Sequence, residues 1–470
     1  MMMIPLVRAI AASTIGAASL VAQATRNPLP PIDSVNGAIV VSVADFAAVP
    51  DMNGSAARMM LLLDEPGTRR LFVNDMRGPL YSVSYDGKTV VRYIDTNDSA
   101  YGVAVQSQGR ERGMQSFAFH PQFAQAGTSG YGKFYTWVDV QDNQKTADFS
   151  SGGGSNTHHT VLLEWSAASA AAPTYDGGPP RELFRLEQPY SNHNGGMAAF
   201  NPLARPGTAD YGLLYVGIGD GGSGGDPLGN SQKLSSAFGK IFRIDPVGRN
   251  STNGNYGVPA TNPFTNRTGA LPEIYAYGVR NPQRFGWDPA NGTMYLAEIG
   301  QNIVEEVSVV TAGGNLGWNI WEGSYRYVGR DGVEAGNPRS DTSMIFPVVE
   351  YAHGNDPLLQ RQVAATGIHV FRSDAIPPLR NKVLFGDNPS GELFWFDADA
   401  PPRGGVVGMH RVLLRPAGAQ ARTLLALIRE RNAQQGKAPA GRADLRFGAA
   451  ADGRVFLLNK ADGTIRVLTP

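Results

Sequence analysis

The sequence predicts an all-β fold of six radially arranged units, and three observations carry that prediction. A strand–turn–strand pattern recurs six times along the chain. Gly and Pro are frequent, at 57 and 32 of 470 residues. The second strand of each unit also ends on an acidic or amide side chain: Asp75, Asp139, Asp220, Glu298, Asp387 and Asn459. Short strands joined by Gly/Pro turns cannot bury both faces alone, and repetition around an axis gives each sheet two neighbours.

Taken in order, the chain opens with an export pattern. After Arg8 an apolar, small-residue run leads to Ala22-Gln23-Ala24, which fits an A-x-A cleavage site before Thr25. Residues 1–24 therefore read as a signal peptide and the protein as periplasmic or secreted. The run is too short and too polar for a membrane span, and no later stretch is long and apolar enough for one. Residues 25–44 are Pro-rich and read as an extended lead-in, with the repeated domain over 45–470.

The first unit is "ARMMLLLDEPGTRRLFVND" with "GPLYSVSYDG"; the second is "RGMQSFAFHPQF" with "GKFYTWVDV" and "TVLLEWSA". The third runs from "HNGGMAAFNP" through "YGLLYVGIGDGG" to "GKIFRIDP". The fourth is "NPQRFGWDPANGTMYLAEIG" with "VEEVSVV", the fifth begins "TGIHVFRSD", and the last begins "DLRFGAAADG". Long insertions at 140–190 and 247–272 make the spacing irregular. The segment 421–437 predicts one short helical excursion before the last unit, stopped at Gly436 ahead of Pro439. If equivalent strand ends share one rim, the six polar residues named above gather there as a polar funnel; the plainer reading is that Asp starts turns.

Composition excludes several functions. Lys+Arg and Asp+Glu are 41 each, so no net charge argues for nucleic acid or an anionic membrane. The absence of Cys removes disulfides, thiolate metal sites and a Cys nucleophile. "GDGGSGGDP" lies between strands and lacks a following helix, which argues against NAD or flavin.

Among seven histidines, His193 stands before Gly195-Gly196, where a backbone can approach a ligand closely. Asp220, one strand away, is the natural carboxylate to orient its ring and make it a general base. His120, in the turn "FHPQF", reads as a packing residue. Arg280, in the turn before Asn281-Pro282, offers a fixed cation for an anionic oxygen. Glu298, Glu305 and Glu306 flank the irregular Gly300-Gln301-Asn302 turn, an oxygen-rich arrangement that suits Ca²⁺ although no EF-hand loop is present.

"RGMQSFAFHPQF", "HNGGMAAFNP", "YVGIGDGG", "GKIFRIDP", "EIYAYGVRNPQRFGWDP", "IGQNIVEEV", "GGNLGWNIWEG" and "GDNPSGELFWF" occur in this order. The ordered set, over about residues 45–470, resembles the glucose/sorbosone dehydrogenase family of soluble aldose dehydrogenases. The resemblance implies a six-bladed β-propeller with pyrroloquinoline quinone (PQQ) and Ca²⁺ in its central cleft. It makes His193 the base for the sugar's anomeric hydroxyl, with Asp220 orienting it. Arg280 would hold the quinone carbonyl, with Asn281 beside it and Glu111 near the sugar or cofactor. The carbonyls of Gly300 and Gln301 would ligate the cofactor's Ca²⁺, and Glu305 a second, structural Ca²⁺. An aldose substrate, an external electron acceptor and a monomer or homodimer complete the implied picture.

The chain departs from the family pattern at three places. Pro389 stands near where a lysine is expected, the last unit leaves Arg446, with Arg442 nearby, as the cations for the cofactor's carboxylates, and Gln301 replaces a proline. Two other classes fit the same rim. One is an exported propeller that binds a carbohydrate or protein partner without redox chemistry. The other is a Ca²⁺-dependent lactonase using Glu298, Asp387 and Asn388.

Overall fold

The computed structural model describes residues 24–141, 145–155, 158–329, 332–354, 356–359 and 363–470. The expected signal peptide, apart from Ala24, lies outside the described residues. The chain is mostly β, as predicted; its main strands pair antiparallel in runs of four, three of these runs being joined by parallel pairs into one twelve-stranded sheet and another carrying a short parallel fifth strand.

Unit one comprises Met59–Asp64, Leu71–Asp75, Pro79–Val83 and Val90–Asp95. Unit two comprises Met114–Phe119, Lys133–Val140, His158–Ser166 and Arg181–Gln188. Unit three comprises Ala198–Phe200, Leu214–Ile218, Lys240–Ile244 and Ile274–Tyr277. Unit four comprises Pro282–Trp287, Met294–Glu298, Val304–Val310 and Val349–Ala352. Unit five comprises Ala365–Phe371, Lys382–Asp387, Leu393–Asp397 and His410–Pro416.

Unit six takes three strands from the C-terminus, Arg446–Ala449, Val455–Leu458 and Thr464–Thr469, and its fourth, Ile39–Ala48, from the N-terminus. That fourth strand pairs antiparallel with Thr464–Thr469 and parallel with His410–Pro416. Strand Ile39–Ala48 thus straddles the boundary expected between a lead-in over 25–44 and the repeated domain over 45–470. The reason is edge protection: without Ile39–Ala48 the last unit would present the unpaired backbone of its third strand to solvent.

The core lies between units rather than within them. Trp137, Leu162 and Phe184 of unit two pack with Val216, Ile218 and Phe242 of unit three. Tyr295 and Val307 of unit four pack with Phe385 and Phe394 of unit five. Strands such as Leu71–Asp75 and Leu214–Ile218 are buried at every residue, which explains why they read as apolar runs rather than alternating patterns.

The helix is shorter than expected, Leu424–Gln434, and is capped by Thr423, whose hydroxyl accepts from Ala426 N at 3.3 Å. Leu424, Leu425, Leu427 and Ile428 bury it against the cluster shared by units five and six. A small separate sheet joins Ala24–Thr25 to Trp321–Glu322, Tyr325–Tyr327 and Val333–Glu334; nothing in the repeat pattern announces it.

The rim residues act mainly as fasteners. Asp75 accepts from Arg58 N at 3.2 Å, Asp139 from Gly113 N at 2.9 Å, and Asp387 from Ala364 N at 2.9 Å. Glu298 accepts from Arg280 N in the same way. In each case the end of a second strand clamps the chain entering the first strand of its own unit, so at these positions the turn-forming reading wins over the open polar funnel.

His120 packs as expected. Its Nδ1 accepts from Gln122 N at 3.1 Å, its ring meets Phe200 edge-on at 5.3 Å, and burial pulls its imidazole down from 6.5 to about 4. Between those two values the folded chain binds fewer protons than the unfolded chain. The stability this supplies is complete above the unfolded value and is lost as pH falls through the folded one. His120→Asn, whose Oδ1 replaces Nδ1 as acceptor, is expected to flatten the fall in urea midpoint across that window. An unchanged slope would assign the acid sensitivity to other groups.

Candidate active site

Unit three departs from the fastener rule. Asp220, at the same rim position as the other clamps, holds a side chain: its Oδ1 lies 2.6 Å from His193 Nδ1. His193 sits in the turn before Ala198–Phe200 with φ +56°, a left-handed conformation that a non-glycine residue adopts only when its surroundings enforce it. Several contacts enforce it. His193 N donates to Glu111 Oε2 at 2.9 Å, and a Cβ at Gly219 would lie 2.0 Å from His193 O. Gly195 and Gly196 serve strand packing rather than ligand approach: added Cβ atoms there would lie 2.6 Å from Gly217 O and 1.8 Å from Pro282 O.

Arg280 lies in the turn entering unit four and completes the line. Its Nη2 is 2.9 Å from His193 Nε2, its Nη1 donates to Ile299 O at 2.9 Å, and its Nε donates to Gln301 Oε1 at 3.2 Å. The guanidinium also stands 5.7 Å over the ring of Trp318. The turn itself is tied by Asp220 N donating to Arg280 O at 2.7 Å.

These contacts fix the tautomer of His193. A guanidinium only donates, so Nε2 must be the accepting, unprotonated nitrogen, and the ring proton sits on Nδ1 facing Asp220. Asp220 is held ionised to receive it. Burial pushes its carboxyl up, but His193, Arg280 and the Gly222 N–H together outweigh burial and bring it below the ordinary value. Gly222 N donates to Oδ1 at 2.8 Å and Trp318 Nε1 to Oδ2 at 2.9 Å. His193, Asp220 and Arg280 are all buried, at 4%, 1% and 6% exposure, in a setting that strengthens each charge-assisted bond.

The remaining predicted residues fall into three groups. Glu111 is joined to His193 through its backbone, and Asn281 lies buried beside Arg280 with its carboxamide unpartnered among the described residues. The Gly300 and Gln301 carbonyls accept no hydrogen bond among the described residues. Their turn is pinned by Glu322, whose Oε1 accepts from the backbone N–H groups of Gln301, Asn302, Ile303 and Val304 at 2.8–3.0 Å. Two free carbonyl oxygens on a fixed turn suit a hard cation such as Ca²⁺. Glu305, expected at a second, structural Ca²⁺, has its two oxygens engaged by His353 Nε2 and Ala365 N, both at 2.6 Å. Among the described residues no three His, Cys, Asp or Glu side chains form a group that could hold a metal, and Glu298 and Asp387 are each clamped to a backbone amide of their own unit.

Arg446 begins the first strand of unit six. Its Nη1 donates to Leu445 O at 2.7 Å, its Nε is buried without a partner among the described residues, and burial lowers its pKa to about 10. It is not an isolated cation. Lys460, with Nζ donating to Arg110 O at 3.2 Å, sits in one electrostatic cluster with Arg446, Asp444, Arg58 and Arg442. Burial, with Arg446 next, holds the Lys460 ammonium well below its usual value. Sequence reasoning missed Lys460, although it directly follows the rim residue Asn459. It also quoted Trp318 and Glu322 in a motif without assigning them roles.

A profile of the glucose/sorbosone dehydrogenase family matches residues 58–424. The chain belongs to the glucose/sorbosone dehydrogenase family. Among relatives of this family member, the HIPL1 protein of Arabidopsis thaliana is 27% identical over 385 residues, covering 75% of this chain and 54% of that protein. The chain thus spans about half the length of that relative. The apo aldose sugar dehydrogenase of Escherichia coli superposes with TM-score 0.61 at 17% identity, covering 91% of this chain and 99% of the other. The PQQ-bound aldose sugar dehydrogenase of Streptomyces coelicolor superposes with TM-score 0.56 at 20% identity, covering 91% and 98%. At these identities the likeness shows that the glucose/sorbosone dehydrogenase fold is shared.

Proposed function

We propose that this family member is an exported six-bladed β-propeller that oxidises the anomeric hydroxyl of an aldose to the lactone and passes the electrons to an external acceptor. The observation that carries this reading is the Arg280–His193–Asp220 line, which presents an unprotonated Nε2 beside a fixed cation. A module that only binds has no use for a base held in one tautomer next to a charge-stabilising donor.

The residues present fit PQQ and Ca²⁺. Arg280, Arg442, Arg446 and Lys460 are the cations for the cofactor's anionic groups, Asn281 offers an unpartnered carboxamide, and the Gly300 and Gln301 carbonyls suit the ion. When bound, PQQ supplies the hydride acceptor. His193 Nε2 takes the proton of the anomeric hydroxyl, and Asp220 stabilises the imidazolium that forms. Arg280 must first turn its Nη2 away from His193, which frees the base and leaves the guanidinium to neutralise a developing oxyanion. Trp318 and Gly222 hold Asp220 still while this happens.

The test is reconstitution of metal-stripped protein with PQQ and Ca²⁺, following the cofactor's absorbance on addition of a panel of aldoses with an artificial dye as acceptor. Reduction by any aldose is expected. No uptake at saturating cofactor would overturn the reading in favour of a binding module. Ca²⁺ at a hundredfold excess over its dissociation constant is expected to add about 2.7 kcal/mol of stability and to raise the melting temperature. A melting curve indifferent to Ca²⁺ and to chelator would remove the ion from residues 298–306.

A further inference from the structure

The first strands of all six units contribute to the wall of one cavity of about 800 Å³. Leu63, Phe119, Phe200, Trp287, Phe371 and Ala449, at or next to the C-terminal ends of those strands, line it. His193, Arg280 and Arg446 sit at the opposite, N-terminal ends, so the cavity is at the far mouth of the channel.

Arg284 closes the channel between the two. Its Nη1 donates to Gly196 O at 3.1 Å and Gln283 O at 2.7 Å, and its Nη2 to Met60 O at 2.8 Å and Gln115 O at 3.1 Å. One guanidinium thereby bridges units one to four between the far cavity and His193.

The chemistry of the cavity is uniform. Its walls are mainly aliphatic and aromatic, and the charged groups at its edge are engaged elsewhere. Arg372 is paired with Asp288 at 2.6 Å and Asp399 at 2.5 Å. Asp64 accepts from Tyr85 Oη and from Ala451 N at 2.7 Å, and Arg205 folds onto Pro202 O at 2.8 Å. The side chains of His369, Gln125 and Tyr211 have no hydrogen-bond partner among the described residues, and of these His369 is the one on a first strand. Its ring is surrounded by protein yet keeps accessible surface, as a side chain facing an internal space does. Burial, with no charged neighbour contributing, pulls it down to about 4, so it is neutral and offers one donor and one acceptor.

We propose that this far cavity is a second ligand site, for an uncharged molecule of one to three rings carrying one hydrogen-bonding group, with His369 as its polar anchor and the aromatic side chains holding its rings. A volume of a few hundred Å³ or more, a mainly apolar lining and very few polar groups are the marks of a small-molecule site. A sugar fits poorly, because its many hydroxyls would face a mainly aliphatic and aromatic wall.

The test is a fluorescence titration of the full chain with N-phenyl-1-naphthylamine, a neutral aromatic amine, without sugar, cofactor or metal. One saturable equivalent is expected, quenching the emission of Trp287, with that part of the quenching lost in Trp287→Phe while binding persists. His369→Leu, which keeps the packing and removes the polar anchor, is expected to weaken binding about tenfold, equivalent to about 1.4 kcal/mol. The anionic 1-anilinonaphthalene-8-sulfonate is expected to bind at least about tenfold more weakly than the neutral probe. Non-saturating uptake, equal affinity for both probes, or unchanged affinity in His369→Leu would each overturn the proposal. The titration involves no redox step, so its failure leaves the oxidoreductase reading untouched.

Discussion

His193→Ala is expected to lower turnover of the reconstituted enzyme by about 10² to 10⁴, the range a positioned base contributes. The substitution removes Nε2, the one accepting nitrogen in the Arg280–His193–Asp220 line. It also places alanine at φ +56°, where the side chain's own bonds no longer enforce the left-handed backbone, so some stability is lost with the activity. His193→Asn separates the two effects, because asparagine tolerates that conformation and can still contact Asp220. Both variants are expected to lose turnover, and only the alanine variant to melt markedly earlier. A normal rate in either would remove His193 from the proton-transfer step.

Asp220→Asn carries the second large effect. Three donors converge on this carboxylate: His193 Nδ1–H and Gly222 N–H at Oδ1, and Trp318 Nε1–H at Oδ2. An amide satisfies them in neither orientation. With its NH₂ toward Trp318, two donors face each other; with its NH₂ toward His193, the ring proton is driven to Nε2, against Arg280. The first arrangement leaves a buried donor unmatched at about 1–3 kcal/mol. The second converts the base into the wrong tautomer, a change known to lower turnover by about 10⁴ in hydrolases with the same carboxylate–imidazole pair. Steady-state rates and urea midpoints of this variant should both fall. Loss of stability with intact turnover would leave Asp220 a fastener like its counterparts at the rim.

That contrast also marks how far the sequence could be read. The six strand–turn–strand units and the His193, Asp220 and Arg280 constellation were legible because each rests on a local pattern or a rim position repeated in register. Strand Ile39–Ala48 was not legible as part of unit six, since its partners Thr464–Thr469 lie at the other end of the chain and no local periodicity records so distant a pairing. Glu305 looked available in sequence; the fold brings His353 and Ala365 to its two oxygens. Lys460 carries no local signal of its own, because a lysine after a strand end reads as a solvated surface charge until the fold buries it beside Arg446 and Asp444.

The pairing of Ile39–Ala48 with Thr464–Thr469 has a consequence for biosynthesis. The last unit combines a strand made early in translation with one made long after it. The early strand has no antiparallel partner until Thr464–Thr469 has been made, and contacts of such sequence separation form slowly. The last unit of the nascent protein therefore stays open until that late strand has emerged, and latches only then.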